Sequence, residues 1–389
     1  MYSYSYLTTA TAIVEMYNGE VPLAIHLKSY FKLNKKFGSK DRKYIAQLCY
    51  SYYRTGNLFK KNNLGEAITN SLFLCSASPN ALLEGLSNTL NSQSQLPIIE
   101  KLALVSSDSL QKIFPLLAEV TTEIDQTNFL QNQLQQPNLY IRLRPKYLAQ
   151  GLLILQKLNI TYTIIDPYTI QLPNGFKVAE HFVLDKEVVV QDYASQKVLD
   201  SLLATMQPNM YYKVWDCCAA SGGKSILLHD LYKGKLDMFV TDVRESILEN
   251  LEKRFIAARI TNYKLAAVNL YKKALQTDDE FNIIICDAPC SGSGTWCRTP
   301  EQIRNFKIKE LANYTTTQKN IATNAAKSLQ TNGYFVYITC SVFVQENEMV
   351  VTHVINNTTL TLLHQQYIHG YNHHADTMYI ALLQRVVAV

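Results

Sequence analysis

The chain has 389 residues, of which 47% are hydrophobic and 18% charged, and its formal net charge is +5. This length predicts two or three domains, and the near-average composition excludes wholesale disorder and collagen-like repeats. No apolar run approaches the roughly 18 residues that cross a bilayer, and the N-terminus lacks the features of a signal peptide. We therefore expect a cytoplasmic, monomeric protein that is not bound to a membrane.

Residues 1–131 carry apolar side chains at helical spacing with few strand signals, which predicts an all-helical domain. Residues 132–204 begin with a break of proline and polar residues and predict a small α/β domain. In 205–389, short apolar runs alternate with helix-patterned sequence, which predicts a doubly wound, Rossmann-like α/β sheet. Such sheets bind ligands beyond the carboxyl ends of their strands, so the residues that end each run are candidate site residues.

The positive charge is concentrated in residues 28–61, which carry ten Lys and Arg side chains against one acid, Asp41. Aromatic residues are interleaved with these charges. One interpretation is a solvated helical face over an aromatic core, and the other is a surface that binds an RNA backbone. The candidate RNA-binding residues of this stretch are Lys35, Lys36, Lys40, Arg42 and Lys43.

Eight cysteines without a C-x-x-C pair predict reduced thiols rather than a disulfide framework. Cys286, Cys290 and Cys297 lie close together in the sequence, but their spacing does not match the common zinc fingers and no histidine is nearby. The sequence therefore predicts no metal site.

A loop of small residues follows the first strand of the predicted sheet. Its members are Cys218, Ala219, Ala220, Ser221, Gly222, Gly223 and Lys224. The glycine pattern of a P-loop and the dinucleotide fingerprint G-x-G-x-x-G are both absent. A helix N-terminus and a lysine suit a ligand carboxylate, such as that on the methionine end of S-adenosylmethionine.

Polar residues also end the next two strands. Asp242 suits the acceptance of hydrogen bonds from ribose hydroxyls, or it caps the helix that follows. Asn269 is placed to face an adenine, or it is a turn residue.

A carboxylate and two thiols end the remaining strands: Asp287 lies three residues before Cys290, and Cys340 ends the last parallel strand. A single cysteine is usually a small buried hydrophobe. Two cysteines at the carboxyl ends of strands, one of them beside a carboxylate, favour covalent catalysis instead.

The motifs CCAASGGKS, DAPCSGSG, CRTPE and YITCS with QENE resemble those of the S-adenosylmethionine-dependent RNA cytosine-5 methyltransferases. The segment GSKDRKYIAQLCYSYYR is similar to the NusB-like helical domain of members that methylate small-subunit ribosomal RNA. Ser221 stands where the family has proline, and Asn269 where aspartate is common.

The resemblance implies a role for each candidate residue. Cys340 would be the nucleophile that adds to carbon 6 of cytosine, Cys290 would assist product release, and Asp287 would contact the cytosine. The loop 218–224, Asp242, Asn269 and Asp287 would hold S-adenosylmethionine. Arg142, Arg144 and Arg298 would add RNA contacts.

Three other functions and one other RNA substrate remain open on the sequence alone. In a DNA cytosine methyltransferase Cys290 would be the attacking thiol, whereas a small-molecule methyltransferase would need neither the basic domain nor two thiols. A non-catalytic RNA-binding or ribosome-assembly factor needs no cofactor. Transfer RNA is the alternative substrate to ribosomal RNA.

Overall fold

The structure is a computed structural model that describes residues 2–277 and 279–386. The chain forms two compact units, which we call the helical unit (residues 1–137 and 295–308) and the sheet unit (residues 138–294 and 309–389). Across the described ranges, no helix combines the length and the apolar character needed to span a membrane.

The described helices are, in chain order, α1 (Ser3–Met16), α2 (Leu23–Leu33), α3 (Ser39–Arg54), α4 (Leu64–Cys75), α5 (Ala81–Glu84), α6 (Asn88–Ser92), α7 (Ile98–Val105), α8 (Gln126–Gln133), α9 (Leu148–Lys157), α10 (Val178–His181), α11 (Tyr193–Lys197), α12 (Asp200–Thr205), α13 (Gly223–Leu231), α14 (Glu245–Ala258), α15 (Gln302–Asn305), α16 (Ile308–Ala326) and α17 (Glu348–Asn357). The described strands are β1 (Leu139–Leu143), β2 (Thr163–Ile164), β3 (Thr169–Leu172), β4 (Val188–Val190), β5 (Tyr212–Asp216), β6 (Leu236–Asp242), β7 (Tyr263–Ala267), β8 (Phe281–Asp287), β9 (Leu329–Thr339), β10 (Leu360–Ile368) and β11 (Met378–Arg385).

Helix α3 is central to the helical unit, where it packs against α1 and α4. Its apolar side chains recur at helical spacing, and Ile45, Leu48 and Cys49 are fully buried. At its start, the Asp41 carboxylate accepts a hydrogen bond from the Gly38 N–H at 2.9 Å, which satisfies one of the donors that a helix N-terminus leaves unpaired. The predicted helical character of this region agrees with the structure.

Residues 295–308 pack in the helical unit, although the sequence places them within the catalytic domain 205–389. Trp296 is 1% exposed and its ring stacks on Phe114 with centroids 5.3 Å apart. The buried Arg54 guanidinium donates a hydrogen bond to the Cys297 carbonyl at 2.7 Å. Burial of a large aromatic ring and pairing of a buried charge hold this segment in the helical unit.

The sheet unit contains a small antiparallel sheet with the strand order β2-β3-β1-β4. It has an apolar core of its own, which includes Ile141 and Leu143 of β1 and Leu155 of α9. The expected domain boundaries at 131/132 and 204/205 stay predictions.

The second sheet has the order β10-β11-β9-β8-β5-β6-β7. Strands β7, β6, β5, β8 and β9 run parallel, whereas β11 and β10 are antiparallel to their neighbours. Ile283 and Ile285 of β8 are almost completely buried, as expected for a parallel sheet covered on both faces. The predicted Rossmann-like α/β fold is confirmed, and the carboxyl ends of the parallel strands lie along one edge of this sheet.

Candidate active site

The small-residue loop connects β5 to α13, and its backbone requires glycine at one position. Gly222 has φ +79°, in the left-handed region, and a Cβ there would lie 3.0 Å from the side chain of Leu251. A Cβ on Gly223 would meet no atom within 4 Å. The backbone at the start of α13 therefore borders open space, which leaves room for a ligand to approach the helix N-terminus.

Asp242 ends β6 and is bound to the same loop. Its carboxylate accepts hydrogen bonds from the Ala220 N–H at 3.1 Å and the Arg244 N–H at 3.0 Å, and the Arg244 guanidinium pairs with it. Burial acts in the opposite direction, but the Arg244 hydrogen bonds are sufficient to lower the pKa of Asp242. Asp242 is thus a charged acceptor beside the loop, a chemistry that suits hydroxyl groups.

Arg254 of α14 fixes the loop at Ser221, and the sequence analysis did not identify this contact. Its guanidinium donates hydrogen bonds to the Ser221 carbonyl at 2.6 Å and to Ser221 Oγ at 3.0 Å. Arg254 also pairs with Asp185 at 2.6 Å. The serine that replaces the family's proline loses the fixed φ of a proline ring, and these hydrogen bonds restrain the loop in its place.

Lys224 and Asp287 form an ion pair between α13 and the end of β8. The Nζ and Oδ2 atoms lie 2.5 Å apart, with side chains 14% and 24% exposed. Burial opposes the charged form of Lys224, yet the carboxylate of Asp287 raises the pKa of the lysine. The pair therefore places a lysine and a carboxylate side by side at the carboxyl end of β8.

Asp216, the last residue of β5, interacts electrostatically with both members of this ion pair and is 1% exposed. Its Oδ2 accepts a hydrogen bond from Ser225 Oγ at 2.5 Å, whereas Oδ1 has no partner. Burial raises the pKa of Asp216 to about 7, against the effect of the Ser225 hydrogen bond.

The two predicted catalytic thiols are brought together. The Sγ atoms of Cys290 and Cys340 are 3.3 Å apart, although 50 residues separate them in the sequence. The hydrogen bond to Cys340, together with burial, raises the pKa of the Cys290 thiol well above its usual range. The raised pKa favours the protonated thiol at Cys290.

Glu346 holds the two loops that carry these thiols, and sequence reasoning missed its role. Its carboxylate accepts hydrogen bonds from the Ser291 N–H at 2.8 Å and from Ser341 Oγ at 2.5 Å. Gln318 of α16 donates to it at 2.9 Å and to the Pro289 carbonyl at 3.0 Å. Ser291 follows Cys290 and Ser341 follows Cys340, so one buried carboxylate joins both loops. Glu346 belongs to the QENE motif, which is the sequence feature that could have indicated its role.

The candidate RNA-binding residues of 28–61 are exposed in the helical unit. These residues are Lys35, Lys36, Lys40, Arg42 and Lys43. Asp41, the one acid of the stretch, accepts hydrogen bonds from Tyr6 Oη at 2.6 Å and from Gly38. The surface is therefore cationic, and its assignment to RNA stays a prediction.

Arg142 and Arg144 do not form the expected RNA-binding surface. They are 4% and 7% exposed, and both pair with Asp230 of α13, at 2.5 Å and 2.7 Å. The two arginines join the small sheet to the large one inside the sheet unit, because a buried charge needs a partner of opposite sign. Asn269 and Arg298, in contrast, are exposed, and their expected contacts stay predictions.

Three comparisons with known proteins agree with this architecture. Residues 203–384 match the family model described as 16S rRNA methyltransferase RsmB/F. The probable ribosomal RNA small subunit methyltransferase B of Bacillus subtilis is 29% identical over 184 residues, which is 47% of this chain and 40% of that protein. The chain thus matches less than half the length of this curated relative.

Solved structures extend the similarity to the fold of the whole chain. The crystal structure of PH0851 matches with a TM-score of 0.69 at 16% identity, covering 96% of both chains. NSun6 from Pyrococcus horikoshii, solved with SFG, matches with a TM-score of 0.57 at 16% identity, covering 70% of this chain and all of that one. Residues 203–384 are therefore similar to the RsmB/F methyltransferase family, and the strand order of the large sheet agrees with this similarity.

Proposed function

We propose that the protein transfers a methyl group from S-adenosylmethionine to carbon 5 of a cytosine in RNA, with small-subunit ribosomal RNA as the substrate. The observation that carries this proposal is the pair of thiols, Cys290 and Cys340, 3.3 Å apart at the carboxyl ends of two parallel strands. A reaction that needs one thiol to attack and a second to act on the same intermediate requires this proximity.

The residues beside the thiols fit S-adenosylmethionine. The open space at Gly223 admits a ligand to the N-terminus of α13, where backbone N–H groups favour a carboxylate. The Asp242 carboxylate would accept hydrogen bonds from the ribose hydroxyls, and Asn269 would lie toward the adenine. When bound, S-adenosylmethionine supplies a methyl group on a positively charged sulfur. SFG, an analogue of this cofactor, accompanies NSun6 in its crystal structure.

The two thiols have separate tasks in this proposal. Cys340 Sγ adds to carbon 6 of the cytosine, which makes carbon 5 nucleophilic enough to take the methyl group. The carbon 5 proton then passes to Cys290 Sγ, the electron pair of that C–H bond forms the double bond between carbon 5 and carbon 6, and the bond between Cys340 Sγ and carbon 6 breaks with its electron pair returning to Cys340. Cys290, which then holds this proton beside Cys340, can return it to the departing thiolate.

Asp287 would hold the base during these steps. One oxygen of its carboxylate is paired with Lys224, and the side chain is 24% exposed, so it can accept from the exocyclic amine of cytosine. Glu346 would fix the Cys290 and Cys340 loops, because its carboxylate accepts hydrogen bonds from the residue that follows each thiol.

The exposed lysines and Arg42 of the helical unit would supply backbone contacts to the RNA. Such contacts position a substrate without reading its sequence, which leaves base selection to the sheet edge. The target base has to be unstacked, so single-stranded or loop RNA is the favoured substrate. The cytoplasmic location and the monomeric state expected from the sequence are part of this proposal.

Bisulfite sequencing of total RNA from cells with and without this gene tests the proposal. We expect one or a few 5-methylcytosines to disappear from small-subunit ribosomal RNA in the deletion strain. Wild-type protein should restore them, and Cys340→Ala should not. An unchanged methylation pattern would overturn the proposed activity, whereas a loss confined to transfer RNA would overturn only the substrate.

A further inference from the structure

A second group of thiols consists of Cys218, the first residue of the cofactor loop, and of Cys217 and Cys286, which have no part in the proposed reaction. The Sγ atoms of Cys217, Cys218 and Cys286 all lie within 4.8 Å of one another. Cys217 and Cys218 follow β5, and Cys286 lies in the neighbouring strand β8. The three come together only through the pairing of β5 with β8, in which the Cys217 N–H donates to the Ile285 carbonyl at 2.9 Å.

We propose that Cys217, Cys218 and Cys286 form a binding site for one soft, monovalent d10 cation, with Cu(I) as the best fit. Thiolates are the ligands that select such ions. Among the described residues no histidine or carboxylate joins the group, so it offers three ligands rather than the four that structural zinc prefers. Three sulfurs about 2.3 Å from one ion lie about 4.0 Å apart in a trigonal plane, which this cluster can reach by a small contraction.

The surroundings of the cluster favour a cation. Cys217 is 2% and Cys286 0% exposed, whereas Cys218 is partly exposed and opens the cluster toward the loop. Asp216 precedes Cys217 in the chain, and Asp287 follows Cys286. A buried group of thiols next to two carboxylates would hold an uncompensated negative charge if it ionised alone, and a bound cation offsets part of that charge.

The experiment must separate this cluster from the pair Cys290 and Cys340, which can also bind a thiophilic ion. The full-length Cys290→Ser/Cys340→Ser variant is therefore titrated anaerobically against a coloured Cu(I) chelator. We expect it to remove one equivalent of Cu(I). Addition of Cys217→Ala or Cys286→Ala should weaken this uptake at least tenfold, whereas Cys49→Ala, at a buried cysteine of the helical unit, should leave it unchanged.

X-ray absorption on the loaded protein supplies a readout that does not depend on the folding of the cysteine variants. We expect three sulfur neighbours at about 2.3 Å. No uptake in the Cys290→Ser/Cys340→Ser background, unchanged uptake after loss of Cys217 or Cys286 in a normally folded variant, or only two sulfur neighbours would each overturn the site.

Discussion

Removal of the Asp230 carboxylate should destabilise the sheet unit strongly. Asp230 accepts hydrogen bonds from Arg142 Nη1 at 2.5 Å and from Arg144 Nη2 at 2.7 Å, and the three side chains are 4–8% exposed. Asp230→Ala leaves two buried guanidinium groups without their counter-ion. Breaking a buried pair in this way costs about 3–5 kcal/mol, which for a unit of this size lowers the melting temperature by about 6–20 °C.

The assay is thermal unfolding followed by circular dichroism, with Glu180→Ala as the matched control. Glu180 pairs with Lys177 on the surface, where both side chains are more than half exposed, so its loss should not measurably change the melting temperature. If Arg142 and Arg144 are structural, Arg144→Gln should also leave the salt dependence of RNA binding unchanged. A destabilisation below about 1 kcal/mol in Asp230→Ala, or a flatter salt dependence in Arg144→Gln, would refute this reasoning.

Three further predictions concern the site and the basic surface. The pKa of Asp216 is 3.8 when unfolded and about 7 when folded, so the folded protein binds a proton that the unfolded chain releases. As pH rises from about 4 to 7, the free energy of unfolding of the wild type should therefore fall by up to about 4 kcal/mol relative to that of Asp216→Asn. The same pH dependence of the free energy of unfolding in both proteins, measured by chemical denaturation, would contradict this. Asp242→Ala removes charge-assisted hydrogen bonds to the ribose, each worth about 1.5–3 kcal/mol, so calorimetry should show at least tenfold weaker S-adenosylmethionine binding, and an unchanged Kd would exclude the assignment. Four lysines of the basic surface are replaced together by glutamine: Lys35, Lys36, Lys40 and Lys43. This change should weaken RNA binding and reduce the slope of log affinity against log salt concentration by about 0.7–0.9 per lost phosphate contact. An unchanged slope would show that these lysines are solvated and do not contact RNA.

The parallel sheet and the polar ends of its strands were predictable because both depend on local patterns. Apolar runs of strand length alternate with helix-patterned sequence, and each run ends in a residue such as Asp242, Asp287 or Cys340. The carboxyl ends of parallel strands share one edge of a sheet, so proximity of these residues followed from the topology.

The features that sequence reasoning missed depend on partners distant in the chain. The resemblance implies RNA contacts for Arg142 and Arg144, but both pair with Asp230, which lies more than 80 residues away in the chain. Cys290 and Cys297 are the cysteines nearest to Cys286 in the sequence, whereas strand pairing places Cys286 beside Cys217 and Cys218. Arg254 of α14 likewise has its role only because it contacts Ser221 of the cofactor loop. Glu346, which follows β9, has its role only because it contacts Ser291 of the Cys290 loop.

The placement of residues 295–308 in the helical unit also could not be predicted from local sequence patterns. The segment follows Gly294 of the sheet unit, whose N–H donates to the Cys340 carbonyl at 2.9 Å, so the chain changes unit between residues 294 and 295. Burial of Trp296 against Phe114 decides this placement, and the sequence around Trp296 contains no information about that partner.

The central claim is that Cys340 forms the covalent intermediate with the cytosine and that Cys290 assists its breakdown. It is tested most directly by a denaturing gel after incubation of each variant with radiolabelled S-adenosylmethionine and target RNA. With Cys340→Ala nothing adds to carbon 6, so neither an adduct nor methylated RNA should form. With Cys290→Ala addition and methyl transfer proceed but release slows, so a labelled protein–RNA adduct that survives denaturation should accumulate. Appearance of the adduct with Cys340→Ala and its absence with Cys290→Ala would contradict the account and exchange the two roles.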